Sequence, residues 1–166
     1  MADEEPGAAI VTAEETSKGS AGHSREGRAT LTFTITGIFI LIVWALYGGL
    51  LLMDSPTFST VYLIGPLIAA AALLAAAFGL HRRRPWAESV VTPMLFVLVI
   101  SGIVTFVLTL VSGGLDIPIA SILGVWALLA PSRAETGERT PGGLVLLGAL
   151  VLSAVWPFVI GALLRG

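Results

Sequence analysis

Residues 56–84 read PTFSTVYLIGPLIAAAALLAAAFGLHRRR, and this stretch decides the fold. It follows Ser55 and opens on Pro56, a pairing in which serine caps a helix and proline takes the first helical position. No charged residue occurs before the basic run at 81–84. An apolar segment of this length that ends in basic residues predicts a transmembrane helix.

Similar apolar runs lie on both sides of this stretch. Residues 31–53 would extend about 34 Å as a helix, enough to cross a hydrocarbon core of roughly 30 Å. We therefore predict an all-α protein, a polytopic transmembrane helix bundle with five spans. The predicted helices lie near 31–53, 56–80, 89–111, 117–130 and 141–164.

The fourth run, residues 117–130, is the short one and would reach only about 21 Å as a helix. It fits either a short span or a re-entrant segment that returns to the same side. If all five runs cross, eight of the nine Lys and Arg residues share one side, whereas a re-entrant fourth run leaves seven there. Because basic residues are retained in the cytoplasm, we predict five spans in the plasma (inner) membrane, with the N-terminus cytoplasmic.

Composition excludes a soluble domain, since 55% of the residues are hydrophobic and 12% are charged, with a mean hydropathy of +0.93. Residues 1–29 are polar and lack apolar periodicity, which predicts a disordered cytoplasmic tail. The chain has no cysteine, so disulfides and thiolate metal sites are excluded. The net charge of -2 indicates no nucleic-acid partner.

The predicted spans contain no Asp, Glu, Lys, Arg or His. Ionisable groups within the membrane are the usual mark of proton relays and ion-coupled transport, and a haem between helices needs facing ligands such as His. No His or Lys lies at membrane depth to activate a serine. We therefore predict that the chain is not an enzyme, and we assign no catalytic, cofactor-binding or metal site.

Small residues recur along the second predicted helix at Gly65, Ala69, Ala72, Ala76 and Gly79. Their spacing places them on one face, where a small surface lets another helix backbone approach closely. One interpretation is packing inside the bundle, and the other is a docking face for a partner or a second copy.

Hydroxyl residues form a face on the third predicted helix, at Ser101, Thr105, Thr109 and Ser112. Such a face can border a polar path, or its hydroxyls can bond back to carbonyls one turn earlier. The threonines within 30–36 alternate between two faces and are interpreted as the start of the first span.

Three prolines, Pro66, Pro93 and Pro157, lie inside the predicted helices, and each removes an amide donor and favours a bend. A structural kink is the expected role unless several kinks surround one cavity.

The densest polar cluster is Arg82, Arg83 and Arg84, directly after His81. It is interpreted as a topology signal, with recruitment of anionic lipid headgroups or an acidic partner as the alternative.

These features predict a non-catalytic integral membrane protein, an accessory, scaffolding or assembly subunit of a larger membrane complex. Its expected partners are membrane lipids and a membrane protein or further copies of itself. The second hypothesis is a channel or facilitator for a small solute, formed by the chain or its homo-oligomer and bordered by the hydroxyl face. A third is an enzyme acting on lipid through Glu88, Asp116 and His81 at the interfaces.

Overall fold

The computed structural model describes residues 24–54, 56–113, 117–132 and 141–163, which form five helices and no strand. We number them α1 (Arg25–Asp54), α2 (Pro56–His81), α3 (Pro85–Val111), α4 (Ile119–Leu128) and α5 (Pro141–Leu163). All except the 10-residue α4 are long and apolar enough to cross a membrane by length and composition. The predicted all-α class is confirmed for the described residues, and the arrangement is consistent with a helical membrane bundle.

Two helices begin earlier than the sequence pattern predicts. α1 starts at Arg25, because the first turn is held against the end of α4 by a hydrogen bond from the Arg25 amide to the Pro131 carbonyl at 2.9 Å. α3 starts at Pro85, which occupies the first turn, where a missing amide costs nothing. α4 is shorter than predicted. The predicted cap Ser55, the interfacial Asp116, most of the predicted disordered tail (1–23) and the 133–140 loop lie outside the described residues.

α1 and α2 form an antiparallel pair. Gly37 lies so close to α2 that an added Cβ would stand 2.9 Å from Leu74 Cγ. Further along, the Trp44 indole donates a hydrogen bond to the Leu63 carbonyl at 3.1 Å. From the first contact to the second, the residue number rises in α1 and falls in α2, so the two helices run in opposite directions.

The helices are arranged as a ring, in which α1 contacts α2, α2 contacts α5, α5 contacts α3, α3 contacts α4, and α4 returns to α1. Besides the α1–α2 contact at Gly37, three of these contacts are made at glycines, where backbones approach closely. They are Gly65 against Trp156, Gly143 against Trp86, and Gly102 against Ser121.

α1, α3 and α5 begin at the same end of the bundle, named here the Arg25 end, and run toward the far end. The half of the bundle nearest the Arg25 end contains a packed core whose largest members are fully buried. They are Phe33, Leu73, Val90, Met94 and Leu95. In lipid such a core is stabilised by close packing and dispersion, because expulsion of apolar groups from water contributes little between helices.

Candidate functional site

The end of α4 accepts hydrogen bonds from side chains of α1 that are about 100 residues away in the chain. A helix leaves its last four carbonyls without partners, here those of residues 125–128. The amides of Leu129 and Ala130 donate to two of them, at 3.0 and 3.2 Å. The guanidinium groups of Arg28 and Arg25 donate to the other two, at 3.1 and 3.2 Å. All four carbonyls are therefore satisfied, as a low-dielectric surrounding requires.

Arg25 joins three parts of the bundle. Its Nε donates to the Ala130 carbonyl at 3.1 Å, and its Nη1 donates to the Thr92 hydroxyl of α3 at 3.2 Å. Its backbone amide also bonds the Pro131 carbonyl. A cation at a helix C-terminus is favoured by the helix dipole, and here the charge is also held by geometry.

Two further side chains of α1 complete this contact. The Arg28 guanidinium lies 4.8 Å from the centre of the Trp126 ring, and the Thr32 hydroxyl donates to the Leu123 carbonyl at 3.2 Å. Arg25, Arg28 and Thr32 share one helix face at spacings of three and four residues. We name these three residues the α4 clamp.

The opposite end of α4 lies beside the middle of α3. The buried Ser121 hydroxyl donates to the Val99 carbonyl at 2.9 Å. Gly102 allows this approach, because a Cβ added there would clash with the Ser121 hydroxyl. α4 therefore accompanies only the half of α3 nearest the Arg25 end.

A cleft of about 1100 Å³ lies between α1, α2, α3 and α5, in the part of the bundle that α4 does not reach. Its walls come from α1 within 39–44, α2 within 63–69, α3 within 97–109 and α5 within 151–162. The cleft is partly open to the surroundings, and its lining is mostly apolar. It ends at the packed core, where Met94 and Leu95 are fully buried.

The predicted hydroxyl face borders this cleft. Ser101, Thr105 and Thr109 line it, whereas Ser112 does not. All four hydroxyls donate to a carbonyl three or four residues earlier on α3, at 2.8–3.0 Å. Their protons are therefore used within the helix, which leaves only oxygen lone pairs for another group.

Two of the three interior prolines line the same cleft, Pro66 on α2 and Pro157 on α5, while Pro93 lies elsewhere. Proline withholds the amide that the carbonyl four residues earlier would accept. Near Pro66, the Trp44 indole donates to the Leu63 carbonyl, so a neighbouring helix supplies a donor in that turn.

The predicted small-residue face, Gly65, Ala69, Ala72, Ala76 and Gly79, is buried in full. Gly65 meets Trp156 of α5, and Gly79 meets the indole of Trp86 at the start of α3. The structure therefore places these residues in contacts within the chain and leaves none of them on its surface.

The basic cluster follows the end of α2 in a closed backbone turn. The Arg83 amide donates to the Leu80 carbonyl and the Arg84 amide donates to the Gly79 carbonyl, both at 2.9 Å. This pair of bonds is a Schellman motif, in which glycine usually occupies the left-handed position. Arg83 occupies it instead, with φ 51°, at a cost of order 1 kcal/mol.

The interfacial residues considered for lipid chemistry are only partly described. His81 is exposed at the end of α2, Glu88 is half-buried in the first turn of α3, and Asp116 lies outside the described residues. Within the described ranges no three His, Asp or Glu side chains come close enough to hold a metal ion. Comparison with protein-family models, curated proteins and solved structures gives no match. Function is therefore inferred from the residues and their geometry.

Proposed function

We propose that this chain is a non-catalytic integral membrane protein that acts as an accessory or assembly subunit, and that its cleft receives a transmembrane helix of a partner protein. The observation that carries this proposal is the cleft itself, which lies between four helices, is partly open to the surroundings and has a mostly apolar lining. A subunit that holds a partner helix needs a groove of this kind and needs no reactive group.

The size and place of the cleft support a helix as its occupant. The cleft has a volume of about 1100 Å³, which is more than a single side chain needs. In lipid a helix is the backbone form that satisfies its own amides and carbonyls. α4 accompanies only the half of α3 nearest the Arg25 end, so a partner helix in the cleft would lie beside the part of α3 that α4 does not cover.

The lining also suits a helix. Ala154 and Gly161 of α5 contribute small surfaces to the cleft, and an added Cβ on Gly161 would meet no atom within 4 Å. Small residues allow close approach of helix backbones in lipid. Gly161 is thus a small residue that packing inside the described chain does not use.

We further propose that all five apolar runs cross the membrane, and that the short α4 forms the helical part of the fourth crossing. The support is that α4 ends beside the start of α1, through Arg25, while Gly143 near the start of α5 lies against Trp86 at the start of α3. The chain between Val111 and Leu128 thus returns from the far end to the Arg25 end.

A pair of reporter fusions tests this topology. A reporter placed after Gly166 is expected on the opposite side of the membrane from one placed before Met1. A re-entrant fourth run would put both on the same side, so a cytoplasmic signal from both fusions contradicts five crossings. Accessibility to an impermeant reagent in intact cells provides the readout.

Site-specific photo-crosslinking in membranes tests the cleft. A photo-reactive residue at Val104, which lines the cleft, is expected to give one protein adduct of defined mass. The matched control is Ile103, which is 50% exposed on the same helix but does not line the cleft. We expect little of that adduct from Ile103, and we expect Gly161→Leu to reduce the Val104 adduct at least about fivefold by filling the groove.

The outcomes of this experiment separate the occupants. Adducts to lipid alone, or equal protein adducts from both positions, contradict the proposal. An adduct of twice the chain mass identifies a second copy and shifts support to the alternative function, a facilitator for a small solute. The hydroxyl face along the cleft favours that alternative, whereas the packed core at the inner end of the cleft opposes it. Solute flux into liposomes containing only this protein, reduced by Thr105→Val, would establish it.

A further inference from the structure

The arginines after α2 are not needed to end that helix. The carbonyls of Phe78, Gly79 and Leu80 accept hydrogen bonds from the backbone amides of residues 82–84, at 2.9–3.1 Å. Arginine side chains often cap a helix by bonding these carbonyls, but here the backbone has taken that role. The three guanidinium groups are therefore available for an external partner.

The guanidinium groups of these arginines also have no hydrogen-bond or ion-pair partner among the described residues. Arg82, Arg83 and Arg84 are exposed, and in the described part of the structure no hydrogen bond or ion pair involves their guanidinium groups. This differs from Arg25 and Arg28, whose guanidinium groups bond the end of α4. Arg25 and Arg28 thus hydrogen-bond within the bundle, whereas Arg82, Arg83 and Arg84 do not.

An exposed aromatic ring lies next to the cluster. The Arg82 guanidinium stands 4.4 Å from the centre of the Phe78 ring, and Phe78 is 56% exposed. Phe78 lies one turn before Arg82 in α2, so the exposed ring is on the side of the arginines nearer to the apolar span. A charged surface therefore lies next to an apolar one. A phospholipid has the same order, with a charged headgroup next to an acyl chain.

We propose that Arg82, Arg83 and Arg84 bind the phosphate of an anionic phospholipid, with Phe78 contacting the first part of its acyl chain. Guanidinium groups bind phosphate oxygens in pairs of parallel hydrogen bonds, which an ammonium group does not reproduce. The three arginines are consecutive residues of one tight turn, in which Arg83 has the left-handed conformation. A free phosphate would use the arginines but would gain nothing from Phe78.

This site goes beyond a signal for membrane topology. Topology depends on positive charge, which lysine supplies as well as arginine. A phosphate site depends also on the planar geometry of the guanidinium group and on the neighbouring ring. The proposal is also independent of a partner in the cleft, since the cleft lies in the other half of the bundle.

Lipid retention by the purified full-length protein tests the proposal. The protein in mild detergent is offered equal amounts of phosphatidylglycerol and phosphatidylcholine, and bound lipid is counted by native mass spectrometry. We expect at least about tenfold preference for phosphatidylglycerol, and we expect Arg82→Gln/Arg83→Gln/Arg84→Gln to abolish it. Replacing the three arginines with lysine, or Phe78→Ala alone, is expected to reduce the preference about threefold or more while charge is kept.

The controls separate charge, folding and ligand source. Arg133→Gln/Arg139→Gln/Arg165→Gln removes the same net charge elsewhere and is expected to retain the preference. Inorganic phosphate alone, at millimolar concentration, is expected not to displace the lipid. The proposal is overturned if the wild type shows no preference, if the lysine and Phe78 variants equal the wild type, or if inorganic phosphate competes as well as the lipid. Each variant is compared at a temperature well below its own melting midpoint.

Discussion

Arg25→Ala is expected to lower the free energy of unfolding by about 2–3 kcal/mol, because it removes three side-chain hydrogen bonds from a charged donor. The carbonyls of Leu128 and Ala130 and the hydroxyl of Thr92 lose that donor together. Unfolding in mixed micelles with increasing sodium dodecyl sulfate provides the measurement.

A local readout and two companion variants sharpen this prediction. Amide hydrogen exchange in α4 is expected to rise in Arg25→Ala, since the clamp holds the end of that helix. Arg28→Ala loses one hydrogen bond and a ring contact and is expected to cost about 1 kcal/mol. Arg25→Lys keeps the charge but not the fork of donors, so its stability should fall between alanine and wild type. Equal stability of Arg25→Ala and Arg28→Ala would contradict the clamp.

The sequence predicts the long helices well because each is an uninterrupted apolar run longer than a bilayer core requires. It does not predict the role of Arg25, which the charge pattern places in a tail as a topology signal. The carbonyls that Arg25 bonds lie more than 100 residues away in the chain, and carbonyls carry no sequence signal. The one available clue is that Arg25, Arg28 and Thr32 share a helix face.

The sequence pattern does not predict the cleft either. The apolar run at 117–130 predicts a helix of about 21 Å, but the helical part is Ile119–Leu128. At either length the run is too short to accompany all of α3, and the contact of Ser121 with α3 at Gly102 places it beside the half nearest the Arg25 end. The spacing of Ser101, Thr105 and Thr109 does predict a shared face, while the existence of a cavity beside it follows only from the packing of four helices.

Substitutions at two neighbouring glycines can test a helix contact that the sequence alone does not predict. Gly142 and Gly143 are neighbours in the first turn of α5, and hydropathy does not distinguish them. In the structure an added Cβ on Gly143 would lie 2.8 Å from the Trp86 carbonyl oxygen and 2.8 Å from Val90 Cγ1, whereas one on Gly142 would meet nothing within 4 Å. The backbone of α3 cannot yield as a flexible side chain does, so α5 must move away.

Gly143→Ala is therefore expected to lower the free energy of unfolding by about 2 kcal/mol, a typical cost of overpacking at a close helix contact. Gly142→Ala is the matched control, and it should leave stability unchanged or raise it slightly, because alanine favours helix over glycine. Thermal unfolding followed by tryptophan fluorescence compares the two, since Trp86 lies at the altered contact. If both variants melt at the same temperature, the start of α5 does not pack against the start of α3 as described.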